Sequence, residues 1–519
     1  MRTIDYFDRG VLLGRDQTAL ISLGQSFTYG QLQEQSKRIA AAMARRGISA
    51  VPHVAILSRN HPLAVTALIG AFRAGAAWVP INPMNSLTAN IEVMRYADVE
   101  WLFYNSNCAD QLPQIRASVP TLKEVVCLDR DDGDVKSLER FMATEGGGAV
   151  PGFPSDPNRL CTILPTGGTT GPSKAAMHTF LVWQTLFALG VYHWYTEERP
   201  VFLGVTPMTH AAGIFGYMHF FRGGTMVLDD GFDPERWCKA VQQYRVTHTF
   251  LPPTALYALL AYPDVRKFDY SSLRYFCVAA APVSPDKLKE AVDVFGPCMC
   301  EVFGQAEAPA LLTALSPAEV AAAAGPGGNA KLLASCGRPT IFSKVAIMDD
   351  NGNLLKTGEP GEIVAQSFLS IPGYYKKPDA TADLQKFGWH HTGDIGYFDE
   401  AGYLYICDRK KDMIITGGFN VFSAEVEQAV LSIDAVKDCA VVGVPDAKWG
   451  EAVTAVVELK PGSKATEAEM IALCKQKLGS VKAPKAIEVW DVLPRTTVGK
   501  VDKKTIREKF WAGRTRQVN

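Results

Sequence analysis

From residue 28 to about residue 335, short apolar runs alternate with amphipathic segments of helical period, and this alternation restricts the chain more than any other feature. Thr28 and Gln31 make a capping box ahead of Leu32, Ser36, Ile39 and Met43, which fall on one helical face, and Gly47 supplies a stop. An apolar strand follows at 54–57, a helix at about 63–74 and a second strand at 77–80. Further buried strands are predicted at 160–164, 201–205, 247–251 and 275–278. Strands that alternate with helices in this way build parallel sheets with helices on their faces. The expected fold class is therefore α/β. A small β-rich stretch is expected next, with turns at Asp350-Asn351-Gly352 and Glu400-Ala401-Gly402.

The composition shifts again at Asp408-Arg409-Lys410-Lys411-Asp412, a charged run that reads either as a domain junction or as a solvated turn. Beyond it a small α+β unit is expected, in which Ser423 caps a helix carrying Val426, Val430 and Ile433, and a strand runs over 440–444. The chain's 519 residues exceed one compact core and imply several domains.

With 53 basic and 54 acidic side chains and a formal charge of −1, an extensive nucleic-acid footprint is not expected. The eleven cysteines are scattered, with no CxxC pair, and read as buried or incidental thiols in a reducing compartment. No run reaches the roughly 18 apolar residues of a membrane span, and neither end carries a secretory, peroxisomal or lipidation signal, so the cytoplasm is the expected location.

The strongest local motif is Thr166-Gly167-Gly168-Thr169-Thr170-Gly171-Pro172-Ser173-Lys174, directly after the strand at 160–164. Its glycines let backbone N–H groups turn toward an anion, while threonine hydroxyls and one lysine add donors and charge. This composition makes a phosphate cradle, and it is not a Walker loop, because Gly171 is followed by Pro-Ser-Lys. The segment resembles the phosphate loop of the adenylate-forming superfamily: acyl-CoA synthetases, firefly luciferases and peptide-synthetase adenylation domains.

The resemblance continues in order along nearly the whole chain. Pro207-Met208-Thr209-His210 resembles the substrate-pocket motif, which makes His210 an aromatic gate at the acyl site. Ala279-Ala280-Ala281-Pro282 stands where the family has a Gly-rich segment lining the adenine. Phe303-Gly304-Gln305-Ala306-Glu307 is similar to Tyr-Gly-x-Thr-Glu, implying Phe303 against adenine and Glu307 on Mg2+ with Thr166; Ala306 departs from the threonine near the α-phosphate. Glu301 occupies the place of a polar side chain that meets the adenine amine. Gly393-Asp394 and Arg409 match the ribose and nucleotide contacts, Lys411 the hinge, and Gly417-Gly418 the edge of the pantetheine tunnel. Thr497-Val498-Gly499-Lys500 corresponds to the loop with the adenylation lysine.

The resemblance implies a large N-terminal domain of layered α/β subdomains plus a small β-rich subdomain (1–409), followed by a small mobile α+β domain (410–519). It implies an ATP-dependent ligase that makes an acyl-adenylate and passes the acyl group to coenzyme A. The expected partners are a carboxylic acid, ATP and coenzyme A, with a homodimer as the candidate assembly and no nucleic acid or membrane span. Ala211, Ala212, Gly213, Ile214 and Phe215, after the gate, carry no charge to pair with a substrate ammonium. Arg222 and Arg274 are the nearest arginines in sequence for a second carboxylate and have no positional match, so an apolar or aromatic monocarboxylate is expected. Three alternatives stay open: loading of a carrier protein, luciferase-like oxidation of an adenylate, and an inactive nucleotide- or acyl-binding regulator.

Overall fold

Five alternating layers of helix and sheet fill the first 340 residues. A computed structural model describes residues 1–143, 150, 152–166, 174–495 and 501–512. The first sheet has six strands in the order Glu124–Cys127, Trp101–Tyr104, His53–Leu57, Ala77–Ile81, Leu160–Pro165 and Ala175–Thr179. All neighbours in it are parallel except the last pair, which folds back antiparallel. The second sheet has nine strands, parallel through its centre (Thr225–Leu228, Val201–Gly204, His248–Leu251, Tyr275–Val278, Met299–Gln305) and antiparallel at both ends.

Strands buried on both faces read as continuous apolar runs. Ala77–Ile81 is buried at every position. Between the sheets lie the helices Tyr29–Arg45, Pro62–Arg73, Phe180–His193 and Ala211–His219, which share one core with inward residues of both sheets. The Phe180–His193 helix is mostly apolar because all but a narrow edge at Gln184, Ala188 and Tyr192 is packed away from solvent. Edge-to-face packing of Phe72 on Trp183 and Tyr217 marks the centre of this layer. The outer faces are covered by Leu87–Tyr96 and Leu112–Ser118 on one side, and by Pro234–Tyr244, Pro253–Leu260, Pro285–Phe295 and Pro317–Ala324 on the other.

A four-stranded antiparallel meander follows (Ser343–Met348, Gly361–Ser367, His390–Phe398, Leu404–Arg409). The expected turns are present, with Gly352 and Gly402 at φ 86° and 79°. The charged run then separates this meander from a last sheet built from Ile414–Thr416, Phe419–Val421, Val436–Asp446, Gly450–Leu459 and Ala486–Val489, with its own core.

One helix start differs from expectation. Phe422, not Ser423, occupies the cap of Ser423–Leu431, and Ile433 lies past its end while still packing against the same core. Ser423 instead donates its backbone N–H to the Asp408 carboxylate, a partner 15 residues away.

Candidate active site

The two strands flanking the Gly/Thr-rich loop fix its ends. The Thr166 N–H donates to the Lys174 carbonyl at 2.8 Å and its hydroxyl reaches the same oxygen at 3.3 Å. Gly167, Gly168, Thr169, Thr170 and Gly171 lie outside the described residues. The Lys174 ammonium sits 5.0 Å from the ring centre of Tyr374. The Tyr374 hydroxyl donates to Glu307 Oε1 at 2.7 Å, and burial with the adjacent carboxylate pushes this phenol far up. Glu307 Oε2 has no protein donor among the described residues, so this oxygen and the Thr166 hydroxyl form a donor set suited to a hard cation. His178, on the strand after the loop, holds the segment before Glu307: its Nε2 donates to the Ala306 carbonyl at 2.7 Å. Burial pushes the His178 imidazole down to about 4, so it is neutral and carries its proton on Nε2.

Gln305, at the end of Met299–Gln305, joins this corner to the next. Its amide donates to Asp394 Oδ2 at 2.7 Å and to the Thr392 carbonyl at 2.6 Å. Asp394 is 4% exposed and pairs through Oδ1 with Arg409 Nε at 2.7 Å, the residue opposite it on the neighbouring strand. Burial raises the Asp394 carboxyl; Arg409 and Gln305 oppose that, and Glu307 is near enough to add to it. Two of its roughly four lone-pair positions are filled, leaving two for incoming hydroxyls. The turn before it is set by Glu362, which accepts from the Gly393 N–H at 3.1 Å and pairs with His391 at 3.1 Å and Lys410 at 3.0 Å.

Ala279 and Ala280 leave the carboxyl end of Tyr275–Val278, where open α/β sheets hold their ligands. Ala280 adopts φ 75°, so alanine keeps a left-handed bend that normally favours glycine. In the neighbouring strand, Phe303 is buried, Gly304 packs against the Ala308–Ala310 backbone, and Glu301 lies opposite Val278. Part of the Glu301 side chain is accessible, yet Oε1 is sealed without a partner among the described residues, and burial raises the carboxyl well above its usual range.

His210 is the exposed cap residue of Ala211–His219. Asn82 accepts from the Met84 N–H at 3.0 Å through Oδ1, so its amide donates to His210 Nε2 at 3.2 Å, which places the imidazole proton on Nδ1. A Cβ on Gly213 would fall 1.9 Å from the Met208 carbonyl, so the 207–210 turn folds over this helix only with glycine there. Phe215, in the same helix, packs edge-on against Trp194 and Phe250, at 5.1 and 5.2 Å. Arg222 meets Thr196 and the face of the Tyr195 ring, and Arg274 pairs with Glu198 and donates to the Ser271 carbonyl.

The model of the AMP-binding enzyme family matches residues 7–375, and that of its C-terminal domain matches residues 425–500. The chain belongs to the AMP-binding enzyme family. It is 36% identical to a medium/long-chain-fatty-acid–CoA ligase of Mycobacterium tuberculosis, over 98% of this chain and 90% of that one. It is 33% identical to a feruloyl-CoA synthase of an Amycolatopsis species, over 95% and 96%. The crystal structure of ATP-bound MatB from Rhodopseudomonas palustris superposes with a TM-score of 0.87 at 27% identity, covering 98% of this chain and 99% of that one.

In this AMP-binding enzyme, Lys411 lies between the last strand of the meander and the first of the C-terminal sheet. A compact charged cluster flanks it. Lys503 donates to Ser423 Oγ at 2.8 Å and pairs with Glu427 at 2.7 Å, while Arg507 pairs with Asp412 at 2.6 Å. Gly417 and Gly418 turn at φ 57° and 80°, and the Gly417 N–H donates to the Trp449 carbonyl at 2.8 Å. Lys500 lies outside the described residues; next to it, Val501 bridges to Arg495. Among the described residues no cluster of three or more His, Cys, Asp or Glu could hold a metal, and no helix is long and apolar enough to cross a membrane. Tyr374, Glu362, His178 and Asn82 were not foreseen. Each acts through a partner at least 31 residues away, and no local pattern marks such a contact.

Proposed function

We propose that this enzyme is an AMP-forming acid–thiol ligase that activates an apolar aliphatic or aromatic monocarboxylate and transfers it to coenzyme A. One observation supports the reading: Gln305 ties the Asp394 carboxylate to the strand that leads into Glu307, whose Oε2 has no protein donor among the described residues.

In the first half-reaction a substrate carboxylate oxygen attacks the α-phosphorus of ATP, the bond to the bridging oxygen breaks, and pyrophosphate leaves. Residues 166–174 cradle the β- and γ-phosphates, Asp394 and Arg409 orient the ribose, Phe303, Gly304 and Ala279–Ala280 border the adenine, and Lys500 steadies the pentavalent phosphorus. Mg2+ held by Glu307 and Thr166 would neutralise charge on the triphosphate. In the second half-reaction the thiolate of coenzyme A attacks the acyl carbonyl and AMP departs. We assign 1–409 to nucleotide and acid binding and 410–519 to a lid that turns at Lys411, withdraws Lys500 and brings Gly417-Gly418 to the thiol's path. An apolar acyl side is supported by Phe215, which follows the His210 motif and packs edge-on against Trp194 and Phe250, and by Arg274, which is paired with Glu198.

The decisive experiment measures pyrophosphate release across short, medium, long and aromatic acids, with and without coenzyme A. Release confined to amino acids or dicarboxylates would overturn the substrate assignment, and adenylate turnover indifferent to coenzyme A would overturn the acceptor. Lys500→Ala should lower adenylate formation at least 100-fold while leaving thioesterification of a supplied acyl-adenylate within about threefold. Equal loss of both half-reactions would remove the proposed division of labour.

A further inference from the structure

Tyr374 lies outside the motifs of the sequence, and its surroundings make it a rigid post. Residues 373–375 dock alongside Ala175–Thr179, the strand that returns from the phosphate loop. The Met177 N–H donates to the Gly373 carbonyl at 3.2 Å, and the Tyr375 N–H to the Ala175 carbonyl at 2.9 Å. The Tyr374 N–H is taken by the Thr381 hydroxyl at 2.9 Å. Its ring is buried against Ala176, Ile371 and Leu384. From this post the hydroxyl reaches Glu307 Oε1, and the ring face meets Lys174. The Glu307 backbone is held as well, since its carbonyl accepts from the Ile371 N–H at 2.9 Å and the preceding Ala306 carbonyl accepts from His178.

A carboxylate free to rotate divides its two oxygens between solvent and cation. One whose first oxygen is fixed by a buried hydroxyl presents the second in a single direction. We propose that Tyr374 is a positioning residue for Glu307: by holding Oε1 it aims Oε2 at the divalent cation of the bound triphosphate. A segment bridged to Ala175–Thr179 thus sets the position of Glu307 relative to that strand. The inference rests on the reading of Glu307 as that ligand. Partners that orient a metal ligand typically change metal affinity 10- to 100-fold when removed.

The test uses the full chain and α,β-methylene-ATP, which cannot release pyrophosphate. Affinity for this nucleotide is measured by calorimetry without metal and with Mn2+, and electron paramagnetic resonance follows the bound Mn2+. Tyr374→Phe keeps the ring and its packing and deletes only the hydroxyl. It should weaken the Mn2+-dependent part of binding about 10-fold and leave metal-free nucleotide binding within about twofold. Glu307→Gln should abolish the Mn2+-dependent part. If Y374F binds the Mn2+ complex like the parent while E307Q does not, the tyrosine is only a packing residue and the proposal fails. If Y374F weakens metal-free binding equally, it acts through the fold, and the proposal also fails. If E307Q itself keeps the full Mn2+ dependence, the fault lies with the underlying assignment of Glu307.

Discussion

Asp394 and Glu301 are both carboxyl groups drawn out of water, connected through one strand, and they differ in how fully they are partnered. Asp394 receives Gln305 on one oxygen and Arg409 on the other, so the charge it carries is shared among fixed donors. Glu301, four residues before Gln305 in Met299–Gln305, has one oxygen sealed with no donor among the described residues. Removing a carboxylate from water without partners costs so much that the group takes up a proton instead. The same residue chemistry therefore yields a carboxyl held by two donors beside the strand end and a partnerless one within the strand, which burial holds well above the ordinary carboxyl range.

The largest expected effect comes from breaking the satisfied member. In Asp394→Asn the amide must turn an NH2 toward either Gln305 or Arg409, both of which are donors, and it can no longer accept from two hydroxyls as an anion. Charge-assisted bonds are each worth about 1.5–3 kcal/mol, so kcat/KM for ATP in a pyrophosphate-release assay should fall on the order of 100-fold. A loss below about threefold would show that the carboxylate does not meet the nucleotide.

The unsatisfied member should respond in the opposite sense, and to pH. An acid whose folded-state pKa is raised keeps its proton in the folded protein while the unfolded chain gives it up near pH 4.3. Between the unfolded and folded values the unfolded state gains stability with every proton lost, so stability falls as pH rises through that window; above the folded value the loss is complete. Glu301→Gln removes the ionisation and preserves shape. At pH 4 the variant and parent should denature alike, and at pH 8 the variant should be more stable by about 1–3 kcal/mol, the usual cost of a buried unsatisfied polar group. Urea denaturation at the two pH values reads this directly. Equal stability at pH 8 would mean that Glu301 finds a partner or water in solution, and the contrast with Asp394 would vanish.

The difference between the two residues also marks what the sequence made legible. Apolar runs placed the strands at Tyr275–Val278 and His53–Leu57 to within a residue, because strand burial is written in consecutive side chains. Thr28 caps the helix its capping box announced, because both partners lie within one turn. Asp394, Glu307 and His210 were named by their motifs, but the reasons they are held as they are come from Gln305, Tyr374 and Asn82, across 67 to 128 residues of chain. Ser423 failed for the same reason. A serine before an apolar helical face looks like a cap, yet Asp408 supplies a better acceptor for its N–H and moves the helix start by one residue. Local chemistry is legible wherever its partners are local; the electrostatics of a site assembled from five segments is not.

Ala280 tests the comparison at its smallest scale. It follows Val278, the residue opposite Glu301, by two positions, and its φ of 75° carries the chain past the strand end beside the orphaned acid. An alanine in this region pays roughly 1–2 kcal/mol in contacts between its Cβ and the backbone. Ala280→Gly relieves that strain but adds freedom to the unfolded chain worth about 0.4–1 kcal/mol, so the net gain should be small, about 0.5–1 kcal/mol, seen as a rise in Tm of a few degrees or less. Because the bend itself is already in place with alanine, KM for ATP should change by less than about twofold. A clear fall in KM would mean that the alanine methyl, rather than the bend, limits how closely this backbone approaches the base, and that Glu301 is being kept from its partner by one carbon atom.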